Sequence, residues 1–124
     1  MSNLEPLRPA DLGERIKADL NSAIAAREVG NEGKVRVSAR RAVGWAIQAY
    51  YSNHGVELPS KSAIAHIQYM IEDIEITDDI VKMLPHFIRR LKKDSLEEDS
   101  YWPLDIDLID EARQVINHLN KLSG

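Results

Sequence analysis

The sequence predicts an all-α fold, an antiparallel up-and-down bundle of about five helices in one domain over residues 1–124. Three observations predict it. Apolar residues recur at helical spacing over long stretches, most clearly at Val35, Ala39, Ala42, Val43, Ala46, Ala49 and Tyr50. Start and stop signals bracket those stretches, among them Pro9, Thr77 with Asp78 and Asp79, and Gly55. At 44% hydrophobic and 29% charged residues, the 124-residue chain suits a single buried core and is too apolar for wholesale disorder.

The first helix is expected from about Pro9 to Glu28. Proline suits a first helical turn, and Leu12, Ile16, Leu20, Ala23 and Ile24 recur at helical spacing. The stretch VGNEGK, with two glycines, interrupts the chain. The second helix is expected from about Glu32 to Asn53. Its first residues, KVRVS, alternate like a strand, but the 3.6-period stripe is far longer and decides for helix. Trp45 lies off the centre of that stripe, on the side of Arg41 and Gln48. Ser60 or Ser62 is expected to cap a third helix running to about Asp73, with Ile64, Ile67, Ile71 and Ile74 on one face. Two acids after Thr77 favour the positive end of a fourth helix, expected to reach about Lys93 with a kink or split at Pro85. A polar loop, DSLEEDSYWPLD, precedes the last helix, expected from about Asp105 to Leu122. Its apolar face, Ile109, Ala112, Ile116 and Leu119 flanked by Leu108, Val115 and Leu122, is broad for an edge helix. That breadth implies burial on two sides, by the bundle or by a second subunit, and so a homodimer is expected.

Composition narrows the function classes. There is no cysteine, which excludes disulfides, thiolate metal sites and cysteine nucleophiles. The longest uncharged run, Ala42 to Val56, is short of the roughly 20 apolar residues a membrane span needs, so no membrane association is expected. The first residues show no apolar signal-peptide core, and the expected compartment is the cytoplasm. Net charge is −4, from 16 basic and 20 acidic side chains, which argues against an indiscriminate nucleic-acid coat. The charge is uneven: Lys34, Arg36, Arg40 and Arg41 open the second helix, whereas residues 94–111 carry eight acids and no Lys or Arg.

The stretch RRAVGWAIQAYYSNHGVELP, Arg40 to Pro59, resembles the second helix and exit of the HEPN domain (higher eukaryotes and prokaryotes nucleotide-binding). EITDDIVKMLPHFIRR, Glu75 to Arg90, is similar to the family's acid-capped helix leading to a Pro-aromatic turn, and DLIDEARQVINHL, Asp107 to Leu119, to its closing helix. The resemblance covers about residues 35–120. It implies a small antiparallel helical bundle that dimerises and accompanies a small nucleotidyltransferase in a toxin–antitoxin-like pair. The alternative it implies is a metal-independent ribonuclease or nucleotide-binding toxin. The family's His-Asp-Leu start to the third helix is not reproduced at His66-Ile67, and RRLKKD stands where many members have Arg-Tyr-Pro.

Four groups of residues are site candidates. The ribonuclease members use Arg, four to six residues, then His; the only such spacing is Arg113 to His118, late in the last helix. Five residues apart on a helix, these two side chains point about 140° apart and do not share a face. Arg36 and Arg40 share a face with Arg41 beside them, a candidate phosphate or partner-binding fork; the competing expectation pairs them with the acids between Asp94 and Glu111. His66, Tyr69 and Asp73 fall on one side of the third helix and could form a polar seam. Trp45, Tyr50 and Tyr51 could stack bases but are expected in the core or a dimer contact. No metal is expected, because His54, His66, His86 and His118 show no i, i+4 pair. No cofactor is expected either, since there is no P-loop, GxGxxG or Ser-His-Asp arrangement.

Overall fold

The computed structural model describes residues 9–59, 62–88 and 107–123. Among them the chain is helical with no strand: α1 (Pro9–Glu28), α2 (Glu32–Asn53), α3 (Ala63–Ile71), α4 (Asp78–Met83), α5 (Pro85–Ile88) and α6 (Leu108–Ser123). This is the all-α bundle of about five helices, with the fourth in two pieces. The expected continuation to Lys93, the capping candidate Ser60 and the loop before α6 lie outside the described residues.

Each boundary has a local cause. α1 ends at Gly30, whose φ of 74° is a left-handed conformation that glycine adopts without strain. Asn31 then caps α2, its side-chain oxygen accepting from the Lys34 amide at 3.1 Å. Gly55, at φ 76°, closes α2 while the Val56 amide reaches back to the Tyr51 carbonyl at 2.8 Å. Ser62 caps α3, its hydroxyl accepting from the Ala65 amide. α3 stops at Ile71, short of the expected Asp73, because Asp73 turns the chain instead: its Oδ1 accepts from the Glu75 amide at 3.0 Å. Helix breaks between Met83 and Pro85, where proline has no N–H to offer the Val81 carbonyl. Asp107 caps α6, its Oδ1 accepting from the Ile109 and Asp110 amides, each at 3.1 Å.

α2 is the central element, packed against α1, α3 and α6. Ala39, Ala42, Val43 and Ala46 are buried as the stripe predicts. Tyr50, expected on the same stripe, is only half-buried; Tyr51, also expected in the core or a dimer contact, is buried, as is Ile47. Three neighbouring helices cover a wider arc than one stripe, and α3 takes the Tyr51 side. The main core joins these residues to Ile67, Met70, Ile80, Leu84, Phe87, Val115 and Leu119. α2 and α3 approach closely at Gly44, where an added Cβ would stand 2.6 Å from the Ala63 Cβ and 2.9 Å from its Cα.

Two expectations are corrected by the packing. Ile74 does not continue the apolar face of α3: it lies in the turn beyond the helix and is 97% exposed. Most of the breadth of the α6 face is also accounted for inside one chain, although Leu122 stays 42% exposed. Leu108, Ala112, Val115, Ile116 and Leu119 enter the main core, while Ile109 joins Ala23, Ala26 and Val35 in a second cluster. The width of α6 therefore reflects mainly burial within the bundle.

Candidate functional site

The cationic start of α2 meets α1. Asp19 of α1 accepts from the Trp45 indole Nε1 at 2.8 Å through Oδ2, and its Oδ1 stands 3.7 Å from Arg41 Nε. The Arg15 guanidinium lies over the Trp45 ring, 5.2 Å from its centroid, in cation–π geometry. Arg36 and Arg40 are half-buried on the same helix. Among the described residues, the carboxylate beside Arg41 is thus on α1. In the acidic stretch before and within α6, Asp107 pairs with Arg27 at 2.7 Å, and Glu111 with His86; Asp94 to Asp105 lie outside the described residues. Hydrogen bonding to Arg27, together with the cap bonds, holds the Asp107 carboxyl below its ordinary range against the opposing effect of burial. α6 does lie beside α2, as that pairing required. A signal for Asp19 was present in the sequence: it falls three residues after Ile16 and four before Ala23, a carboxylate on the apolar stripe of α1.

Arg41, Gly44, Trp45, Ala63 and His66 line a cavity of about 230 Å³. His66 is buried, and its Nδ1–H donates to the Gly44 carbonyl at 3.2 Å; a carbonyl can only accept, which fixes the proton on Nδ1.

A second cleft, of about 450 Å³, lies between α4–α5 and α6. His86 and Glu111 face each other across it, with Lys82, Gln114 and His118 on its walls. His86 Nδ1–H donates to Glu111 Oε1 at 2.7 Å, which leaves Nε2 as the nitrogen available to a ligand. His118 shares this cleft, but Arg113 is exposed and not among its lining residues. The structure therefore places His118 with His86 and Glu111 rather than with Arg113. Neither His86 nor Glu111 was singled out in the sequence, where 25 residues separate them.

The third feature is an exposed end built around Tyr51. Its hydroxyl donates to Asp73 Oδ2 at 2.5 Å, and its ring meets Tyr50 and Tyr69 edge-on at 5.1 and 5.0 Å. Burial, then the hydrogen bond to Asp73, pushes the Tyr51 hydroxyl far above the usual tyrosine range. Tyr69 and Asp73 thus converge on Tyr51 without His66, which faces α2 at Gly44. The expected seam is divided because the helix ends before Asp73. Three exposed large apolar residues connect to this end: the Val56 amide bonds the Tyr51 carbonyl, the Tyr69 ring meets that of Tyr51, and Ile74 follows Asp73 in the chain. Exposed Glu57, Glu72, Glu75, Asp78 and Asp79 accompany them in the sequence.

Among the described residues, no group of three or more His, Asp or Glu is placed to hold a metal ion. No described helix is long and apolar enough to cross a membrane. No family model, no curated protein and no solved structure matches the chain.

Proposed function

We propose that this chain is a non-catalytic helical-bundle module that binds a partner protein, the role that its resemblance to HEPN domains implies, with a small nucleotidyltransferase as the partner. The observation that carries it is the end around Tyr51. Ile74 stands fully in solvent on a turn fastened by Asp73, whose other oxygen holds the Tyr51 hydroxyl, and exposed Glu72, Glu75, Asp78 and Asp79 flank it in the sequence. A pre-ordered apolar knob with an acidic rim suits a basic surface with an apolar socket, because little conformational entropy is lost on docking. The test is calorimetric titration with a nucleotidyltransferase encoded in a neighbouring reading frame. Wild type should form a stoichiometric complex, and Ile74→Glu should weaken it at least tenfold without lowering the melting temperature. Equal affinity for both proteins would remove this end from the interface. Dimerisation, expected from the same resemblance, is read by sedimentation at micromolar concentration, where about twice the chain mass is expected.

A second reading, a metal-independent ribonuclease, draws on the cleft that holds His86, Glu111 and His118. One imidazole would take the proton of a ribose 2′-hydroxyl as it attacks phosphorus, and the other would return a proton to the leaving 5′-oxygen. RNA incubated with wild type in chelator distinguishes the two. Cleavage lost in both His86→Ala and His118→Ala but kept in Arg113→Ala would favour the enzyme; intact RNA with wild type favours the binding module.

A further inference from the structure

We infer that the cavity at Arg41, Trp45 and His66 is a binding site for a small organic phosphate monoester, of about the size of a pentose phosphate. It is separate from the histidine cleft and shares no lining residue with the end around Tyr51; two helices line it and a third supports its wall. α2 supplies Arg41, Gly44 and Trp45; α3 supplies Ala63 and His66; α1 supplies Asp19 and Arg15, which hold and cover the indole.

The charge at the site suits an anion. Arg41 lines the cavity with its side chain 56% exposed, and its contact to Asp19, at 3.7 Å, is too long for a hydrogen bond. Asp19 Oδ2 takes the indole N–H at 2.8 Å, while Oδ1 stays 3.7 Å from Arg41 Nε as an ion-pair partner, so a phosphate shares the guanidinium with it. The guanidinium fork can therefore turn to a phosphate, whose oxygens it matches in pairs. Ala63 is the first residue of the nine-residue α3, where amides lack intrahelical acceptors and the helix dipole favours negative charge. The rest of the lining suits a short carbon skeleton: an indole wall, the Ala63 methyl and a buried imidazole.

Size sets the class. A half-open pocket of about 230 Å³ falls below the ~300–1,000 Å³ of sites that enclose drug-sized ligands, which suits a phosphate with one sugar. Gly44 helps to keep the space open. A Cβ there would need room already taken by Ala63, so the α2–α3 crossing that forms the floor depends on its absence.

The experiment is calorimetric titration of the full chain, in phosphate-free buffer, with ribose 5-phosphate, inorganic phosphate and ribose. Ribose 5-phosphate should bind, inorganic phosphate about tenfold or more weakly, and ribose not measurably. Arg41→Gln should lose at least tenfold for ribose 5-phosphate, as expected for removal of a charge-assisted bond. Lys121→Gln, at an exposed lysine near the end of α6, should leave binding unchanged. Melting temperatures of both variants should match wild type in the same buffer. Arg41→Lys, which keeps the charge but not the fork, should fall between wild type and Arg41→Gln, and provides the comparison should the glutamine variant fold poorly. Failure of wild type to bind ribose 5-phosphate at millimolar concentration, or equal losses in Arg41→Gln and Lys121→Gln, would overturn the site. Equal affinity for inorganic phosphate and ribose 5-phosphate would overturn the contribution of the indole wall.

Discussion

Two glycine-to-alanine substitutions in helices should change stability in opposite directions. Alanine is favoured over glycine in a helix interior by about 0.8–1 kcal/mol, so the substitution stabilises wherever there is room. At Gly13, inside α1, an added Cβ meets nothing within 4 Å. Gly13→Ala should therefore raise stability by roughly 0.5–1 kcal/mol. At Gly44 the added Cβ meets the Ala63 Cβ at 2.6 Å and, more decisively, its Cα at 2.9 Å. Van der Waals contact between carbons lies near 3.5–4.0 Å, so α3 would have to move away by about 1 Å. Displacing a packed backbone costs typically 1–3 kcal/mol or more, which exceeds the gain in propensity. Gly44→Ala should then destabilise by about 1–2 kcal/mol, or lower the melting temperature by roughly 3–8 °C for a domain of this length. Ala63→Gly added to Gly44→Ala should restore only part of the loss, because it removes the clash with the methyl and leaves the clash with the backbone of residue 63. The assay is urea and thermal unfolding followed by helical circular dichroism. Equal stabilisation by Gly13→Ala and Gly44→Ala would refute the close approach of α2 and α3.

Other substitutions have effects of stated size. Ala46→Arg, at a position 4% exposed, should unfold or badly destabilise the chain, measured by the loss of cooperative melting. Tyr51→Phe removes the donor to Asp73 and should cost about 1–3 kcal/mol at neutral pH in urea unfolding. Because the Tyr51 hydroxyl is raised in the fold, its contribution is complete below the unfolded tyrosine value near pH 10 and declines as pH rises above it; the alkaline loss of urea midpoint should be shallower in Tyr51→Phe. The Asp107 carboxyl is lowered, so its contribution is present above the unfolded value near pH 4 and is lost as pH falls through the folded value. Asp107→Ala should cost about 1–2 kcal/mol through the cap and the ion pair together, whereas Arg27→Gln, which touches only an exposed pair, should cost about 0.2–1 kcal/mol.

The helices were legible in the sequence because their signals are local. The bounds of α1 and α2 follow from Pro9, the VGNEGK break and Gly55, and the division at Pro85 follows from a missing N–H. What escaped depends on which helix lies beside which. Tyr51 rather than Tyr50 is core because α3 covers that side of α2, and periodicity within α2 cannot say where its neighbours stand. The breadth of α6 was visible, but its second cover, the cluster at Ala23, Ala26 and Val35, comes from residues more than 70 positions away. The same holds for sites. Arg41 and Trp45 stood out by charge and ring, but nothing local in the sequence joined them to Asp19, 22 and 26 residues earlier. His86 and Glu111 meet because α4 packs on α6 and carries the start of α5 to it.

The docking role is tested most directly by hydrogen exchange of the chain alone and in complex with the nucleotidyltransferase. Binding should slow exchange in residues 69–79 and around Val56, while the exposed surface of α6 near Arg113 exchanges as in the free chain. Slowed exchange centred on α6 with residues 69–79 unchanged, or no complex at all, would contradict it.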